Sequence, residues 1–202
     1  MDMEQQKQRI AVFGAGGHGK VVVDAIECTA GLTVACVVDD RPLAGATLLG
    51  HPLAGGREVL LARRDEIDGV IVAIGDNRAR AAAARWLGEH GLTLVCVVHP
   101  AAVVARSARI GAGTLIMPGA VVNAEARIGE NTIINSGAIV EHDCDIEAAV
   151  HVAPGAVLCG GATVGAGTLV GAGAVVLPGV CIGPGCLVKA GTIVIRDMEA
   201  DA

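Results

Sequence analysis

Aromatic side chains are almost missing from this chain of 202 residues, which has one Phe, one Trp and no Tyr. Large rings usually supply much of the buried area of a core, so this chain must bury small and β-branched side chains instead. Hydrophobic residues still make up 52% of the sequence, which is enough for a proper core. The composition therefore favours tight, regular stacking.

Long apolar runs are missing as well, and no stretch approaches the roughly 18 residues that a membrane span needs. The amino-terminal segment MDMEQQKQRIAVFG starts with charged and polar residues and has only a short apolar run, unlike a signal peptide or an anchor. There is no basic cluster and the net charge is -6 at pH 7, so a nucleic-acid partner is not expected. These absences predict a cytoplasmic protein that acts on small molecules.

Seven cysteines occur without the paired spacing of a metal site or a disulfide framework. The cytoplasm keeps thiols reduced, so we expect small buried side chains rather than disulfides. Cys144 lies two residues from His142, but neither a CxxC nor an HxxxH partner accompanies them. The sequence therefore predicts no metal site.

What the chain does have is a six-residue repeat from Ala102 to Asp197. In all sixteen hexads the third residue is Val, Ile or Leu, and the phase never slips. This period fits neither a helix nor a series of hairpins, but it fits a coil in which each hexad forms a short strand and a turn. The aliphatic residue would point inward, and the Gly, Asn or Pro-Gly at the hexad end would supply the dihedral angles of a corner. Three hexads would close one triangular coil, which gives about five stacked coils.

Residues 1–100 show a different pattern, in which short apolar strands alternate with helices. We predict strands over 10–13, 32–38, 69–74 and 92–98, and helices over 21–28 and 78–90. This alternation indicates a small parallel sheet. The sequence thus predicts an α/β domain over 1–100 and a repeat domain over 101–202, with the boundary at His99-Pro100.

A glycine turn, GAGGHG over 14–19, follows the first predicted strand and precedes the first helix. In this context GxGxxG has a physical meaning, because backbone N–H groups at a helix start can approach and bind a phosphate. Asp39 and Asp40 follow the second strand, where a carboxylate could accept hydrogen bonds from a nucleotide. A second turn, GDNR over 75–78, would lie at the same edge of the sheet. An NAD site and a turn that serves only close packing are the alternatives, but about ninety residues form only half of a dinucleotide fold, so mononucleotide binding is favoured.

Polar residues break the repeat near its middle, at Glu141, His142, Asp143, Asp145 and His151. Stability alone would favour small residues there, so the cluster indicates chemistry rather than bystander side chains on a solvated coil. His142 and His151 are nine residues apart, or one and a half hexads, and so cannot lie on the same face of one coil. In an assembly they could face each other across a subunit boundary, or both approach a groove near one corner.

Taken together, these features resemble the hexapeptide-repeat acyltransferases that carry an N-terminal nucleotide-sugar domain. The similarity runs from about Ile10 to Asp197 and is carried by VFGAGGHGK, VVDD, AIGDN, IINSGAIVEHDCDI and VHVAPGA. These segments are similar to those of the bacillosamine and perosamine N-acetyltransferases, close to the sialic acid O-acetyltransferases. The resemblance implies a Rossmann-like domain followed by a left-handed parallel β-helix, a homotrimer, and acetyl-coenzyme A as the acyl donor.

The resemblance also assigns roles to residues. His142 would be the general base and Asp143, where many members have the longer Glu, its orienting partner. The resemblance assigns substrate binding to the two turns, the acidic pair and one corner of the repeat. These residues are Gly16, Gly17, His18, Asp39, Asp40, Gly75 and Asn135. Acetyl-coenzyme A would be bound by His151, as a donor to the thioester carbonyl, and along the coils by Gly160, Ala172 and Ala190.

The implied function is acetylation of the amino group of a nucleotide-linked 4-amino-4,6-dideoxy sugar, with UDP as the expected nucleotide. The amine would attack the thioester directly while the imidazole removes a proton, without a metal or a covalent intermediate. Two alternatives stay open. An O-acetyltransferase for a sialic acid-type sugar would not need the nucleotide contacts of Asp39 and Asp40, and a nucleotide-binding scaffold would need no catalytic base.

Overall fold

The computed structural model describes residues 7–41 and 45–200. The expectation that the amino terminus forms neither a signal peptide nor an anchor falls partly on residues 1–6, which lie outside the described residues. An α/β unit comes first in the chain, and a parallel β-solenoid follows it.

The α/β unit contains strands and helices that alternate along the chain. Its strands are β1 (Gln8–Phe13), β2 (Leu32–Val38), β3 (Thr47–Leu48), β4 (His51–Pro52) and β5 (Gly69–Val72). Its helices are α1 (Gly17–Cys28), α2 (Glu58–Ala62) and α3 (Asn77–Glu89), with a 3-10 turn at Arg64–Glu66. The sheet is parallel, in the order β2–β1–β5, and β3 and β4 form a small antiparallel pair.

Alternate residues of β1 point to opposite faces of the sheet, as the two-residue period of a strand requires, and each set belongs to its own apolar cluster. Ile10 and Val12 are buried against α1, while Ala11 and Phe13 are buried in the cluster that includes Leu60 of α2 and Leu87 of α3. The first cluster continues into the solenoid, since Val97, Leu115, Met117 and Ile133 belong to it. The two units therefore share one apolar core.

The solenoid is built from two-residue strands, one in each of the sixteen hexads and one just before them. They are β6 (Val97–Val98), β7 (Val103–Val104), β8 (Arg109–Ile110), β9 (Leu115–Ile116), β10 (Val121–Val122), β11 (Arg127–Ile128), β12 (Ile133–Ile134), β13 (Ile139–Val140), β14 (Asp145–Ile146), β15 (His151–Val152), β16 (Val157–Leu158), β17 (Thr163–Val164), β18 (Leu169–Val170), β19 (Val175–Val176), β20 (Cys181–Ile182), β21 (Leu187–Val188) and β22 (Ile193–Val194). Each strand pairs in parallel with the strand three hexads later, as Val121 does with Ile139. The predicted triangular coil is therefore confirmed.

The three sheets of the solenoid differ in what they show to the outside. We call the sheet of β6, β9, β12, β15, β18 and β21 the dock face. The α/β unit packs on its first strands, β6, β9 and β12. We call β7, β10, β13, β16, β19 and β22 the aliphatic face, whose outward residues are Val103, Val121, Ile139, Val157, Val175 and Ile193. We call β8, β11, β14, β17 and β20 the polar face, with Arg109, Arg127, Asp145, Thr163 and Cys181 outward.

Three columns of corners join these faces. The Asn135 corner (117–119, 135–137, 153–155, 171–173, 189–191) leads from the dock face to the aliphatic face, and the His142 corner (123–125, 141–143, 159–161, 177–179) leads from there to the polar face. The Arg80 corner (111–113, 129–131, 147–149, 165–167, 183–185), named for the helix residue that binds it, returns to the dock face. Every hexad end from 113 to 191 has positive φ, as predicted, and four of these residues are not Gly: Glu125, Asn131, Asp143 and Ala149.

The structure corrects two of the predicted elements. Helix α1 begins at Gly17, not at Val21, so the end of the glycine turn is itself the first turn of the helix. The strand predicted over 92–98 is divided: Leu94 forms one bridge with Val70, and only Val97–Val98 is a strand, paired with β9 of the solenoid. An apolar run cannot reveal which sheet its residues join. The domain boundary at 99–100 stays a prediction.

Candidate active site

His142 and Asp143 lie next to each other at the His142 corner. The imidazole Nδ1 is 2.7 Å from Asp143 Oδ2, and about two thirds of each side chain is exposed, 63% and 65% respectively. Asp143 ends its hexad with φ of 59°, a left-handed conformation that Asp tolerates better than most residues. The shorter acid therefore reaches the ring from the corner position itself.

This pairing defines the state of the imidazole. The hydrogen bond that Nδ1–H donates to Asp143, with smaller contributions from the charges of Asp143 and Glu141, raises the pKa of His142 above its usual 6.5. Because the carboxylate accepts a hydrogen bond from the Nδ1–H group, the neutral ring presents an unprotonated Nε2. An imidazole in this tautomer can accept a proton from a substrate.

Gly160 lies one coil below His142 and gives its ring space. A Cβ atom at position 160 would stand 2.6 Å from His142 Cε1 and 2.7 Å from Nε2. Gly160 was predicted to bind acetyl-coenzyme A, and that role stays a prediction. What the geometry adds is that any larger residue there would displace the imidazole.

The glycines of the turn differ in whether a side chain would fit at their positions. At Gly14 and Gly19 an added Cβ would collide with backbone oxygens at 2.7 and 2.3 Å, so close packing explains those two glycines. At Gly16 and Gly17 it would meet nothing within 4 Å. Gly16 caps α1 without a side-chain hydrogen bond, so no capping side chain competes for the first N–H groups of the helix, which are the groups that bind anions at a helix start.

A cavity of about 390 Å³ adjoins this turn. Its lining includes Ala15, Gly16, Asp39, Arg41, Thr47 and Leu53. Asp39 links two segments of the cavity wall. Its carboxylate accepts hydrogen bonds from the backbone N–H of Ala15 at 2.8 Å and of Arg41 at 2.9 Å. The volume suits a nucleoside-sized ligand.

Asp40 is engaged differently from Asp39. Both of its carboxylate oxygens accept hydrogen bonds from Arg57 Nε, at 3.0 and 2.9 Å, and this pairing lowers the pKa of Asp40. The Arg57 guanidinium also lies over the rings of Phe13 and Trp86. Asp40 therefore anchors the loop after β2, whereas Asp39 reaches the cavity.

His151 lies on the dock face, where it meets residues of both units. Asn135 Oδ1 accepts a hydrogen bond from the N–H of Ser136 at 2.8 Å, which turns the amide so that Nδ2 faces His151 Nε2 at 3.0 Å. His151 Nε2 is then an acceptor and Nδ1 carries the proton. The ring of His18 lies 6.3 Å away, between centroids.

Burial keeps this histidine pair neutral. Desolvation, the neighbouring His151 and the charge of Arg80 lower the pKa of His18 to about 4. Desolvation and Arg80 lower the pKa of His151 to about 4 as well, against an opposing hydrogen bond with the Gly75 backbone. His18 Nε2 is buried and lacks a hydrogen-bond partner within the described residues.

The predicted site residues therefore form two groups within one chain. Gly16, Gly17, His18, Asp39 and Gly75 of the α/β unit lie on the same side as Asn135 and His151 of the solenoid. His142, Asp143 and Gly160 occupy the corner opposite the dock face. Ala172 and Ala190 are exposed on the Asn135 corner.

Sequence reasoning missed Arg80 and Asn77 of α3, which bind the solenoid backbone. A signal was present, since Arg80, Ala83 and Leu87 are the buried stripe of this helix, so the arginine stands where an apolar residue is expected.

Asp24, Cys28 and His99 bring ligand atoms within 4.8 Å of one another, away from both groups. His99 Nδ1 accepts a hydrogen bond from the Ala101 N–H at 3.0 Å, which puts the proton of the neutral ring on Nε2. This tautomer does not suit a metal ligand at Nε2. The expectation of no metal stays a prediction.

Comparisons with known proteins bear on both units. Residues 9–87 match the family model of the PglD N-terminal domain. Over 119 residues, 54% of this chain, the sequence is 38% identical to UDP-N-acetylbacillosamine N-acetyltransferase from Bacillus subtilis (strain 168). The match spans about half, 51%, of that protein.

Two solved structures are similar over nearly the whole chain. A histidine-to-asparagine variant of perosamine N-acetyltransferase from Caulobacter crescentus, in complex with CoA and GDP-perosamine, is 41% identical, with a TM-score of 0.91 over 95% of this chain and 90% of that one. The chain belongs to this family of sugar N-acetyltransferases. The acetyltransferase domain of PglB from Neisseria gonorrhoeae FA1090, in complex with acetyl coenzyme A, is 33% identical, with a TM-score of 0.89 over 96% of this chain and 93% of that one.

Membership in the sugar N-acetyltransferases confirms the predicted family, its left-handed parallel β-helix and the acetyltransferase class. The complexes of its relatives agree with acetyl-coenzyme A as the expected donor. Among the described residues, no helix has the length and apolar character of a membrane span.

Proposed function

We propose that this protein transfers the acetyl group of acetyl-coenzyme A to the amino group of a nucleotide-linked amino sugar. The observation that carries the proposal is the 2.7 Å contact between His142 Nδ1 and Asp143 Oδ2 at an exposed corner of the solenoid. It supplies a base with a defined tautomer, while the open glycine turn and its cavity supply a place for the nucleotide.

A sugar amine is protonated near neutral pH and must lose a proton to attack a thioester. His142 Nε2 accepts that proton, and Asp143 stabilises the imidazolium that forms. As the new C–N bond forms and the C–S bond breaks, the imidazolium returns a proton to the leaving coenzyme A thiolate. General-base help of this kind contributes roughly 10² to 10⁴ in rate. Holding amine and thioester together supplies the remainder.

His151 is the predicted donor to the thioester carbonyl. Its Nε2 accepts a hydrogen bond from Asn135, and its other nitrogen is the one available to the Gly75 backbone. We therefore assign the developing oxyanion to a backbone N–H near His142, and His151 to the substrate side of the site.

The aliphatic face supports a homotrimer. Its six outward residues are all Val or Ile, while the polar face carries Arg, Arg, Asp, Thr and Cys at the equivalent positions. Val103 and Ile193 at its ends are 63% exposed in the single chain. A continuous aliphatic stripe of this kind is typical of a surface that another subunit covers.

Trimer formation through this face would bring the two groups of site residues together. The face is bounded by the Asn135 corner on one side and the His142 corner on the other. In a threefold assembly with the aliphatic faces turned toward the axis, the Asn135 corner of each subunit meets the His142 corner of the next. His142 of one subunit then lies beside the nucleotide-binding domain, Ala172 and Ala190 of its neighbour.

The expected nucleotide is UDP, and it can be tested directly. Relatives are named for a UDP-linked and for a GDP-linked sugar, so UDP, GDP and dTDP should be compared by thermal shift and calorimetry. Stabilisation by UDP alone would support UDP as the nucleotide of the substrate. Binding of GDP alone would show that the nucleotide is GDP instead. Binding of none of them favours a free sugar as acceptor.

The decisive experiment is acetyl transfer from acetyl-coenzyme A to a panel of 4-amino-4,6-dideoxy sugar nucleotides, with thiol release and product mass as readouts. We expect one panel member to be acetylated on nitrogen, and His142→Ala to lower the rate by about a hundredfold or more. Acetylation of a hydroxyl, or nucleotide binding without transfer, would refute the proposal.

A further inference from the structure

Arg80 is the one charged side chain among the buried residues that the structure describes, and it is 0% exposed. Burial lowers its pKa to about 10, so it remains a cation at neutral pH. A buried cation is costly unless its donors are satisfied. Its hydrogen bonds go to six oxygens, none of them a carboxylate oxygen.

Three of these oxygens belong to the α/β unit. Nη1 donates to the carbonyls of Ile74 and Gly75, both at 3.2 Å, and Nη2 donates to Asn77 Oδ1 at 2.8 Å. Gly75 is the residue that the sequence analysis assigns to the sugar nucleotide. Arg80 therefore holds the main chain of the second ligand-facing turn.

The other three oxygens belong to the solenoid. Nε donates to the carbonyl of Asn131 at 2.8 Å, and Nη2 donates to those of Ala149 at 2.8 Å and Val150 at 3.1 Å. Asn131 and Ala149 are hexad ends of successive coils on the Arg80 corner. Val150 directly precedes His151.

Asn77 extends the contact by one more coil. Its Nδ2 donates to the carbonyls of Gly167 at 2.8 Å and Thr168 at 3.0 Å. Together, Arg80 and Asn77 bind three successive coils of one corner from the start of helix α3. A planar guanidinium with five N–H donors suits this task, and the three donors of a lysine cannot reach the same set.

We propose, building on the proposed function, that Arg80 is a positioning residue: its buried guanidinium clamps the Gly75 turn of the nucleotide-binding domain to the strand that carries His151, and so fixes where the substrate amine lies. Asn77 is its auxiliary. Neither residue touches the reacting atoms.

The charge of Arg80 supports this role. Desolvation is the main cause that lowers the pKa of His18 and of His151, and the charge of Arg80 adds to it, so both rings stay neutral at the proposed substrate site. A neutral ring has one donor and one acceptor, so its hydrogen bonds have a defined direction. An apolar residue at position 80 would complete the buried stripe of α3 but supply neither the clamp nor this charge.

The test compares Arg80→Lys and Asn77→Ala with the control Arg85→Lys, which makes the conservative change at an exposed position of the same helix. Each variant is assayed at a temperature where circular dichroism shows it fully folded. We expect the folded Arg80→Lys enzyme to bind the nucleoside diphosphate within about twofold of wild type while kcat falls about tenfold or more, because a misplacement of about 1 Å is costly. Asn77→Ala should show a smaller loss of the same kind.

A purely structural role would lower the unfolding temperature without changing kcat of the folded enzyme, and that result would overturn the proposal. Hydrogen exchange gives a readout that does not depend on activity. Amides at the start of α3 and around His151 should exchange faster in Arg80→Lys than in Arg85→Lys, and equal rates would contradict the clamp. An inactive wild type would instead refute the proposed function.

Discussion

At the scale of single residues, the same side chain is brought to opposite states by its surroundings. His142 is exposed beside a carboxylate, which raises its pKa. His18 and His151 are largely buried, and this desolvation, with a smaller contribution from the charge of Arg80, lowers the pKa of each to about 4. Of the three, only His142 therefore has a raised pKa, which suits a residue that must take up a proton.

Removal of the carboxylate should shift the pH dependence of transfer. The neutral imidazole is the active form, so kcat should rise with pH through the raised pKa of His142. Asp143→Asn keeps a side chain that tolerates the left-handed conformation, but it removes the charge that favours the imidazolium. We expect the midpoint to move to lower pH and the plateau to fall, measured as kcat against pH. An unchanged midpoint would mean that Asp143 does not act on the base.

Gly160→Ala should displace the imidazole without straining the backbone, because the φ of Gly160 is not positive. The new methyl group would overlap the ring, so we expect kcat to fall by about tenfold or more while nucleotide binding is unchanged. Gly88→Ala is a matched control, since a Cβ at position 88 meets nothing within 4 Å. Equal activity of the two variants would show that the ring position does not matter.

Some of these residues could be found from the sequence and others could not. His142 and Asp143 stand out because they interrupt a repeat of small residues, and the 18-residue coil places Gly160 under His142 by arithmetic alone. Arg80 lies in a helix rich in Ala and Arg, where an arginine is expected in solvent. Its spacing with Ala83 and Leu87 places it on the buried stripe of α3, but the carbonyls that accept its hydrogen bonds lie in the solenoid, and no local pattern identifies them.

At the scale of elements, the stacked coils could be predicted because every hexad has the same two structural requirements. One inward aliphatic residue and one left-handed corner recur every six residues, and the strands follow from them. The strand at 92–98 was not predictable in detail. Its residues are apolar throughout, so the point where they leave the α/β sheet and join β9 depends on tertiary packing.

The outward positions of these strands permit a test of assembly. Val157→Lys places a charge in the middle of the aliphatic face, and Thr163→Lys places the same side chain on the next strand of the same coil, on the polar face. We expect the first variant to sediment as a monomer and to lose transfer activity, because burying an unpaired ammonium is costly. The second should stay trimeric and active. A trimeric Val157→Lys protein would exclude this face as the interface.

At the scale of the whole molecule, one chain carries both groups of candidate site residues but places them on different sides of the solenoid. The α/β unit packs on part of the dock face, and His142 occupies the opposite corner of the triangular prism. A single chain cannot close that distance, whereas a neighbour related by threefold symmetry can. The active site that we propose is therefore shared between subunits.

The most direct test is complementation between two inactive variants. His142→Ala removes the base, and Gly17→Glu puts a carboxylate where the phosphates would bind, at a position with open space for a side chain. Each homotrimer should be inactive. Co-expression in equal amounts should restore about a quarter of the wild-type rate, because a boundary with both intact halves then forms with that frequency. In such hybrids no chain has both halves intact, so activity no greater than that of the two homotrimers would contradict a shared site.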